Sequence, residues 1–222
     1  MERSALLTIL FALLFSPATR ADAPDDSWRP IREGEKISVY KRDVEDSKFD
    51  ESLAQTAINV RLSALVALIM DGDSLEQWID TVKESRQLEV LSPTEVYNYT
   101  VSGAPWPVKD RDAVVLTRAA QDSESLVVTI TSSAKPEHIP ERDGTVRVPF
   151  VESTWTLVPQ PDGSVEVNYQ VHNDPGGEIP TWLINSLASD QPYKTLENLH
   201  RFFADDNDYS DAMLPFIQEP GA

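Results

Sequence analysis

The chain has 222 residues, of which 41% are apolar, with eight glycines, sixteen prolines and no cysteine. This composition predicts one globular domain and excludes disulfide scaffolds and cysteine-ligated zinc. The 37 acidic and 19 basic side chains give a formal charge of −18. Such a charge argues against a nucleic-acid partner, because phosphate binding depends on clustered lysine and arginine side chains.

The N-terminus has the pattern of a secretory signal peptide. An apolar run at 5–15 is followed by Pro17 and small residues, with cleavage predicted after Ala21 or Ala23. The run is too short to cross about 30 Å of hydrocarbon comfortably, although an uncleaved anchor is the alternative. Residues 1–23 are therefore predicted to be a signal peptide, and export without cysteine predicts a periplasmic or secreted protein.

Residues 28–204 are predicted to form one folded domain rich in strands. Alternating apolar side chains predict a short strand at 37–39 and a second strand at 53–62. Later alternation, with turn residues between the segments, predicts further strands at 86–91, 94–102, 112–120, 126–132, 146–158 and 165–172. Consecutive strands with short connections are typical of an antiparallel meander.

Two short helices are predicted between the second and third strands. Ser63 is a candidate N-cap for the first helix, and Gly72 lies where a C-terminal cap belongs. Asp73 or Ser74 begins the second helix. The spacing Asp71-Gly72-Asp73 with Glu76 lacks the twelve-residue pattern of an EF-hand, so capping explains it better than calcium, and no metal site is predicted.

A long amphipathic helix is predicted near the C-terminus, because apolar residues recur at helical spacing over 179–203. Pro192 is expected to break or kink it. This helix is the only predicted element long enough to cover the concave face of a curved sheet. The sequence therefore predicts an α+β fold in which a curved antiparallel sheet wraps around a long C-terminal helix, followed by a solvated acidic tail at 205–222.

Four segments resemble the START family of lipid-transfer domains. They are WID at 78–80, SRQLEVL at 85–91, PWPVKDRDAV at 105–114 and NDPGGEIPTWLIN at 173–185. The resemblance covers about 30–203 and implies a helix-grip fold, of the START/Bet v 1-like kind, whose hollow holds one lipid. It also implies that the C-terminal helix and the nearby loops form a lid, and that the lipid is transferred or presented without covalent chemistry.

The resemblance also indicates candidate ligand-binding residues. Some members of the family carry a buried acid and base inside the cavity, and the corresponding positions here are Asn98 and Thr117. Neither side chain is charged, but both can hydrogen-bond a hydroxyl or a carbonyl. Trp106, between two prolines, is either a lid wall and foothold on a bilayer or a core plug. The remaining candidates, each of which could also be packed core, are Trp155, Tyr169, Trp182 and Asn185.

Two arginines near these candidates are not counted among them. Arg111, between Asp110 and Asp112, is predicted to form a structural ion pair at the start of its strand, with a ligand contact as the alternative. Strand alternation places Arg118 on the face opposite Thr117.

The expected partner is one lipid or other hydrophobic small molecule, with transient membrane contact and a monomeric state. A helix-grip enzyme resembling a cyclase or hydrolase, or a structural adaptor without a ligand, are the alternatives. Catalysis would need an ionisable group with a partner in the cavity. His138, His172 and His200 lie in no HExxH motif, and neither GxSxG nor a Walker loop is present. No catalytic residue and no cofactor is therefore predicted.

Overall fold

A ten-stranded sheet dominates the computed structural model, which describes residues 24–221. The predicted signal peptide lies outside these residues. The spatial order is β1-β2-β3-β10-β9-β7-β6-β5-β4 with antiparallel neighbours, and β8 pairs in parallel with β6. The strands are β1 Arg29–Glu33, β2 Ser38–Arg42, β3 Glu51–Ile58, β4 Val82–Ser92, β5 Glu95–Ser102, β6 Arg111–Gln121, β7 Val128–Ala134, β8 Val146–Arg147, β9 Phe150–Pro159 and β10 Val165–Asp174.

Three helices cover the sheet within the described residues: α1 Leu62–Met70, α2 Leu75–Trp78 and α3 Thr181–Phe202. This arrangement confirms the predicted α+β class and the curved sheet around a C-terminal helix. Residues 24–221 contain no helix that is long and apolar enough to span a bilayer.

The inner face of the sheet has two chemically different ends. At one end, which we call the base, apolar side chains are fully buried under α1 and α3, among them Val128, Ile130, Leu157, Val165 and Val167. At the other end, the rim, the same alternation brings small or polar side chains to the inner face, and they remain partly exposed: Thr100, Ser102, Ala113, Ser153, Val171 and Asn173. The rim is therefore less completely filled than the base.

The N-terminus of α1 corrects one prediction. The N-cap is Arg61, not Ser63, and the buried Ser63 hydroxyl has no hydrogen-bond partner. Instead, the backbone N–H groups of Leu62 and Ser63 donate to the carboxylate of Glu219 at 3.3 and 2.8 Å. Because Glu219 lies 156 residues after Ser63 in the chain, the sequence around α1 could not predict this cap.

The C-terminal segment also differs from the predicted solvated tail. Ile217 is buried in the core cluster, and the Tyr209 hydroxyl donates to Asp71. Gln218 and Gln121 exchange hydrogen bonds at 2.7 and 2.9 Å. Burial and this contact with Asp71 raise the pKa of Tyr209 to about 12. The four aspartates at 205–211 are exposed, but the segment itself is docked.

Several strand limits differ from the sequence prediction. The edge strand β1 was not predicted, because four of its five residues are exposed and show no apolar alternation. The predicted strand at 146–158 is two strands, β8 and β9, separated at Val148 and Pro149. Proline cannot donate to a sheet ladder, which explains the interruption.

Candidate ligand-binding site

The helix α3 changes character at Pro192. None of residues 182–191 is buried, whereas Pro192, Thr195, Leu196, Asn198 and Leu199 all are. We call 181–191 the lid half and 192–202 the anchored half. The anchored half lies on the base of the sheet, and the lid half lies over the rim.

One cavity, of about 490 Å³, opens between the lid half and the side of the sheet formed by β1, β2 and β3. We call it the β3-side cavity. The helix contributes Ile184, Asn185 and Ala188, and the sheet contributes Ser52 and Val171. This volume lies in the range of about 300–1,000 Å³ that is usual for small-molecule pockets.

A second cavity, of about 470 Å³, opens on the opposite flank of the lid half. We call it the β5-side cavity. It lies between the helix residues Trp182, Leu183 and Lys194, the end of β5, and Arg111 at the start of β6. Leu187 and Asn173 line both cavities, so the two cavities adjoin at these residues.

Pro192 was predicted to break or kink the helix, and the break is wrong, because α3 continues through it. A proline lacks the N–H that would bond to the carbonyl four residues earlier, here that of Ala188. The Ser52 hydroxyl of β3 donates to this carbonyl at 2.8 Å. The side chain thus replaces the missing helical hydrogen bond and ties α3 to the sheet at the boundary between its two halves.

The structure places Asn98 and Thr117 on the inner face of the sheet, both almost fully buried. Thr117 shares a hydrogen bond of 3.0 Å with Ser132 of β7. The Asn98 side-chain oxygen has no hydrogen-bond partner and lies against Gly72, where an added Cβ would approach it to 2.2 Å. Arg118 lies on the outer face and pairs with Glu95, as alternation predicts.

Trp155 and Tyr169 form an aromatic layer between the base and the rim. Their rings stack at 4.1 Å, and Trp78 of α2 contacts Trp155 edge-on at 6.1 Å. Burial raises the pKa of Tyr169 to about 12. Neither Trp155 nor Tyr169 belongs to the linings of the two cavities, and both pack in the hydrophobic core.

The remaining candidates lie at the surface. Asn185 lines the β3-side cavity and Trp182 the β5-side cavity, where the Trp182 side chain is 51% exposed. Trp106 is 92% exposed in the loop between β5 and β6, so the alternative of a core plug is wrong. Pro105 of this loop lines the β5-side cavity. Two exposed tryptophans therefore flank one opening.

Sequence reasoning missed the role of Arg111, which it assigned to a structural ion pair. The side chain is 8% exposed and donates to the backbone carbonyls of Lys109, Pro175 and Gly176. The carboxylate of the next residue, Asp112, pairs instead with Arg147 at 2.8 Å on the other face of β6. Arg111 therefore joins the tryptophan loop to the turn that leads into α3.

The three histidines lie outside the two linings. His138 stacks on Tyr97 at 3.8 Å, and His172 and His200 contact the hydroxyls of Ser47 and Thr56 at 2.9 and 2.7 Å. Within residues 24–221, no group of three or more histidine or acidic side chains is arranged to hold a metal ion. Asp71 and Asp73 instead accept hydrogen bonds from backbone N–H groups of their own turn and of β4.

A family model described as the START domain matches residues 17–204. The chain belongs to the START domain family. An uncharacterized protein of Pseudomonas aeruginosa is 33% identical over 193 residues, which cover 87% of this chain and 94% of that protein. The human phosphatidylcholine transfer protein is 26% identical over 178 residues, 78% of this chain and 82% of its own length.

A solved structure supports the same assignment. A crystal structure of a STAR-related lipid transfer protein fragment from Xanthomonas axonopodis superposes with a TM-score of 0.74 and 35% identity, covering 80% of this chain and 98% of that one. The helix-grip architecture implied by the sequence motifs is therefore confirmed. Family membership supports lipid as the class of ligand.

Proposed function

We propose that this START-family chain binds one lipid or other hydrophobic molecule beneath the lid half of α3 and transfers or presents it without covalent chemistry. One observation carries the proposal: Leu183, Ile184 and Leu187 project from the lid half over two cavities, yet none of them is buried. Apolar side chains over a partly filled rim are typical of a surface that a hydrophobic guest completes.

The energetics favour a carrier over free diffusion. Each methylene group withdrawn from water contributes about 0.8 kcal/mol, so a sixteen-carbon chain would face about 13 kcal/mol to cross water unprotected. Transfer from a bilayer into a lined cavity exchanges one hydrocarbon environment for another. Opening of the lid, not chemistry, is then expected to set the rate.

The proposed movement is a swing of the lid half about Pro192. The anchored half stays in the core, and the hydrogen bond from Ser52 to the Ala188 carbonyl marks the hinge. Trp106 and Trp182 are proposed to contact the bilayer transiently at the mouth of the β5-side cavity. Because the chain carries a charge of −18, such contact depends on these aromatic rings and not on general attraction to anionic lipid.

Native mass spectrometry of the gently purified protein tests the proposal. We expect one co-purified lipid of defined mass, returned chemically unchanged after incubation, with the protein as a monomer. Leu187→Trp, which adds bulk to a side chain that lines both cavities, should reduce lipid occupancy by about tenfold. Glu197→Trp, on an exposed position of the anchored half, should leave it unchanged. An empty protein that ignores every lipid offered, or a covalently altered ligand, would contradict the proposal.

We also propose that the protein acts outside the cytoplasm, in the periplasm or as a secreted protein. The basis is the signal-peptide pattern at 1–23. N-terminal sequencing of the mature protein should give Asp22 or Pro24 as the first residue. A mature chain that retains Met1 and stays in the cytoplasmic fraction would overturn this assignment.

A further inference from the structure

We propose that the β5-side cavity contains a site for an anionic group, a phosphate or a carboxylate, bound by Arg111. The inference deepens the proposed function and rests on it, because the anionic group would be the head of the bound amphiphile. Its starting point is a buried cation without an acidic partner. No ion pair between described residues includes Arg111, although its side chain is almost fully buried.

The hydrogen bonds of Arg111 leave part of the guanidinium available. A guanidinium has five N–H donors, and three of them are used for the carbonyls of Lys109, Pro175 and Gly176, the last two at 3.4 and 3.2 Å. Two donors remain for a ligand. Carbonyl dipoles do not neutralise the charge, and burial lowers the pKa of this arginine below its ordinary value. An anion would compensate the desolvated charge and can accept two parallel hydrogen bonds.

The acidic neighbours of Arg111 are occupied elsewhere. Asp112 points to the outer face of the sheet and pairs with the buried Arg147. Asp110 accepts two hydrogen bonds from Lys83 and one from the Ala104 backbone. Neither carboxylate can therefore turn to Arg111 without leaving another cation unpaired.

Other groups around the cavity favour the same ligand. The lining contains two further cations, Lys83, which pairs with Asp110, and the exposed Lys194. The first turn of α3 adds the positive end of a helix dipole. Two acids, Asp80 and Asp190, also line the cavity, but both are exposed, and Asp80 accepts a hydrogen bond from Asn198.

The apolar part of the lining decides between two sources of the anion. Leu183, Leu187 and Val148 line the same cavity as Arg111. A free inorganic anion would leave these side chains without a partner, whereas an amphiphile covers them with its chain. The site therefore fits a lipid with an anionic head group better than free phosphate.

Binding of matched lipid pairs tests the inference. The probes are dioleoyl phosphatidic acid against dioleoylglycerol, and palmitic acid against hexadecanol, with inorganic phosphate as a separate arm. We expect the anionic member of each pair to bind about tenfold more tightly than the neutral one. Lys194→Gln should reduce this ratio by about threefold, and Arg111→Lys should reduce it further. Lys135→Gln, outside both cavity linings, should leave it unchanged.

The outcomes separate this inference from the proposed function. Equal binding of anionic and neutral lipids would overturn the anion site and leave the carrier intact. Failure of every lipid to bind would overturn the proposed function. Inorganic phosphate that binds as tightly as phosphatidic acid would overturn the assignment to a lipid head group. If Arg111→Lys does not fold, the test rests on Lys194→Gln, which changes an exposed side chain. An unchanged ratio of anionic to neutral lipid binding in that variant would also contradict the anion site.

Discussion

The two halves of α3 belong to one continuous helix, yet they lie on opposite kinds of surface. The anchored half places Leu196 and Leu199 against the apolar base, where both are fully buried. The lid half places Leu183 and Leu187 over small and polar rim residues, where neither is buried. Both halves of α3 present leucines toward the sheet. Which half is buried therefore depends on the sheet residues beneath each half and not on the helix sequence alone.

The anchored half of α3 therefore contributes to the stability of the fold, whereas the lid half is the part expected to open. A region with few buried apolar contacts opens at lower free energy than the core to which it is joined. The boundary at Pro192 has two components, a missing backbone donor in the helix and a serine hydroxyl from β3 that replaces it. The predictions below test this boundary, in order of decreasing expected effect.

The largest contrast should come from the same substitution in the two halves. Leu196→Ala leaves a cavity in a fully packed core and should lower the free energy of unfolding by about 3 kcal/mol. Leu187→Ala removes a side chain that already borders empty space and should lower it by less than about 1 kcal/mol. Urea denaturation monitored by tryptophan fluorescence measures both. Equal losses in the two variants would contradict the division of α3 into two halves.

The hinge should show energetic coupling between Ser52 and Pro192. Ser52→Ala leaves the Ala188 carbonyl without its donor and should destabilise the protein by about 1 kcal/mol. In the Pro192→Ala background, a backbone N–H can bond to that carbonyl, so the same Ser52→Ala change should cost much less. A double-mutant cycle measures the coupling. Additive effects would show that the Ser52 hydroxyl does not replace the missing helical bond.

The sequence was sufficient for those features that depend on local periodicity. The strand meander, the helix pair and the C-terminal helix follow from alternation and helical spacing, and the motifs around Trp106 and Trp182 identify the family. Alternation also placed Arg118 on the face opposite Thr117, as the structure shows.

The features that were missed depend on contacts distant in sequence. The sequence around Pro192 predicts a break or a kink because the compensating donor, Ser52, lies 136 residues away from the carbonyl that accepts its hydrogen bond. Glu219, which caps the start of α1 in place of the predicted Ser63, lies 156 residues further along the chain. Arg111 was assigned to an ion pair because its flanking aspartates suggested one, but strand alternation turns Asp112 to the opposite face. In each case tertiary structure provided the hydrogen-bond partner.

A smaller effect on stability, with a clear effect on exchange, is expected for Trp106→Ala. The side chain is 92% exposed, so its removal should change the free energy of unfolding by less than about 0.5 kcal/mol. If the ring contacts the bilayer beside the lid, lipid exchange between vesicles should slow by about tenfold. Leu91→Ala, an exposed apolar position on β4, serves as the control and should leave exchange unchanged. Unchanged exchange in Trp106→Ala would remove this residue from the mechanism.

The smallest effect is a pH dependence that belongs to the anchored half alone. Burial and the charge of Lys36 lower the pKa of His200 below its ordinary 6.5. The Thr56 hydroxyl donates to the Lys36 carbonyl, so the neutral His200 ring donates its Nε2 proton to the Thr56 oxygen. Below pH 6.5 the unfolded chain takes up the proton more readily than the folded one.

His200 therefore contributes full stability above this pH and loses it progressively as the pH falls toward its folded pKa. Melting temperatures of the protein and of His200→Gln should converge between pH 7.5 and 5.5, since the variant lacks this titration. Carboxylates that titrate elsewhere affect both proteins equally and cancel in the difference. Because His200 lies in the anchored half, lipid exchange should show no matching difference between the two proteins over this range. A difference in exchange of the same size would mean that the two halves of α3 are coupled.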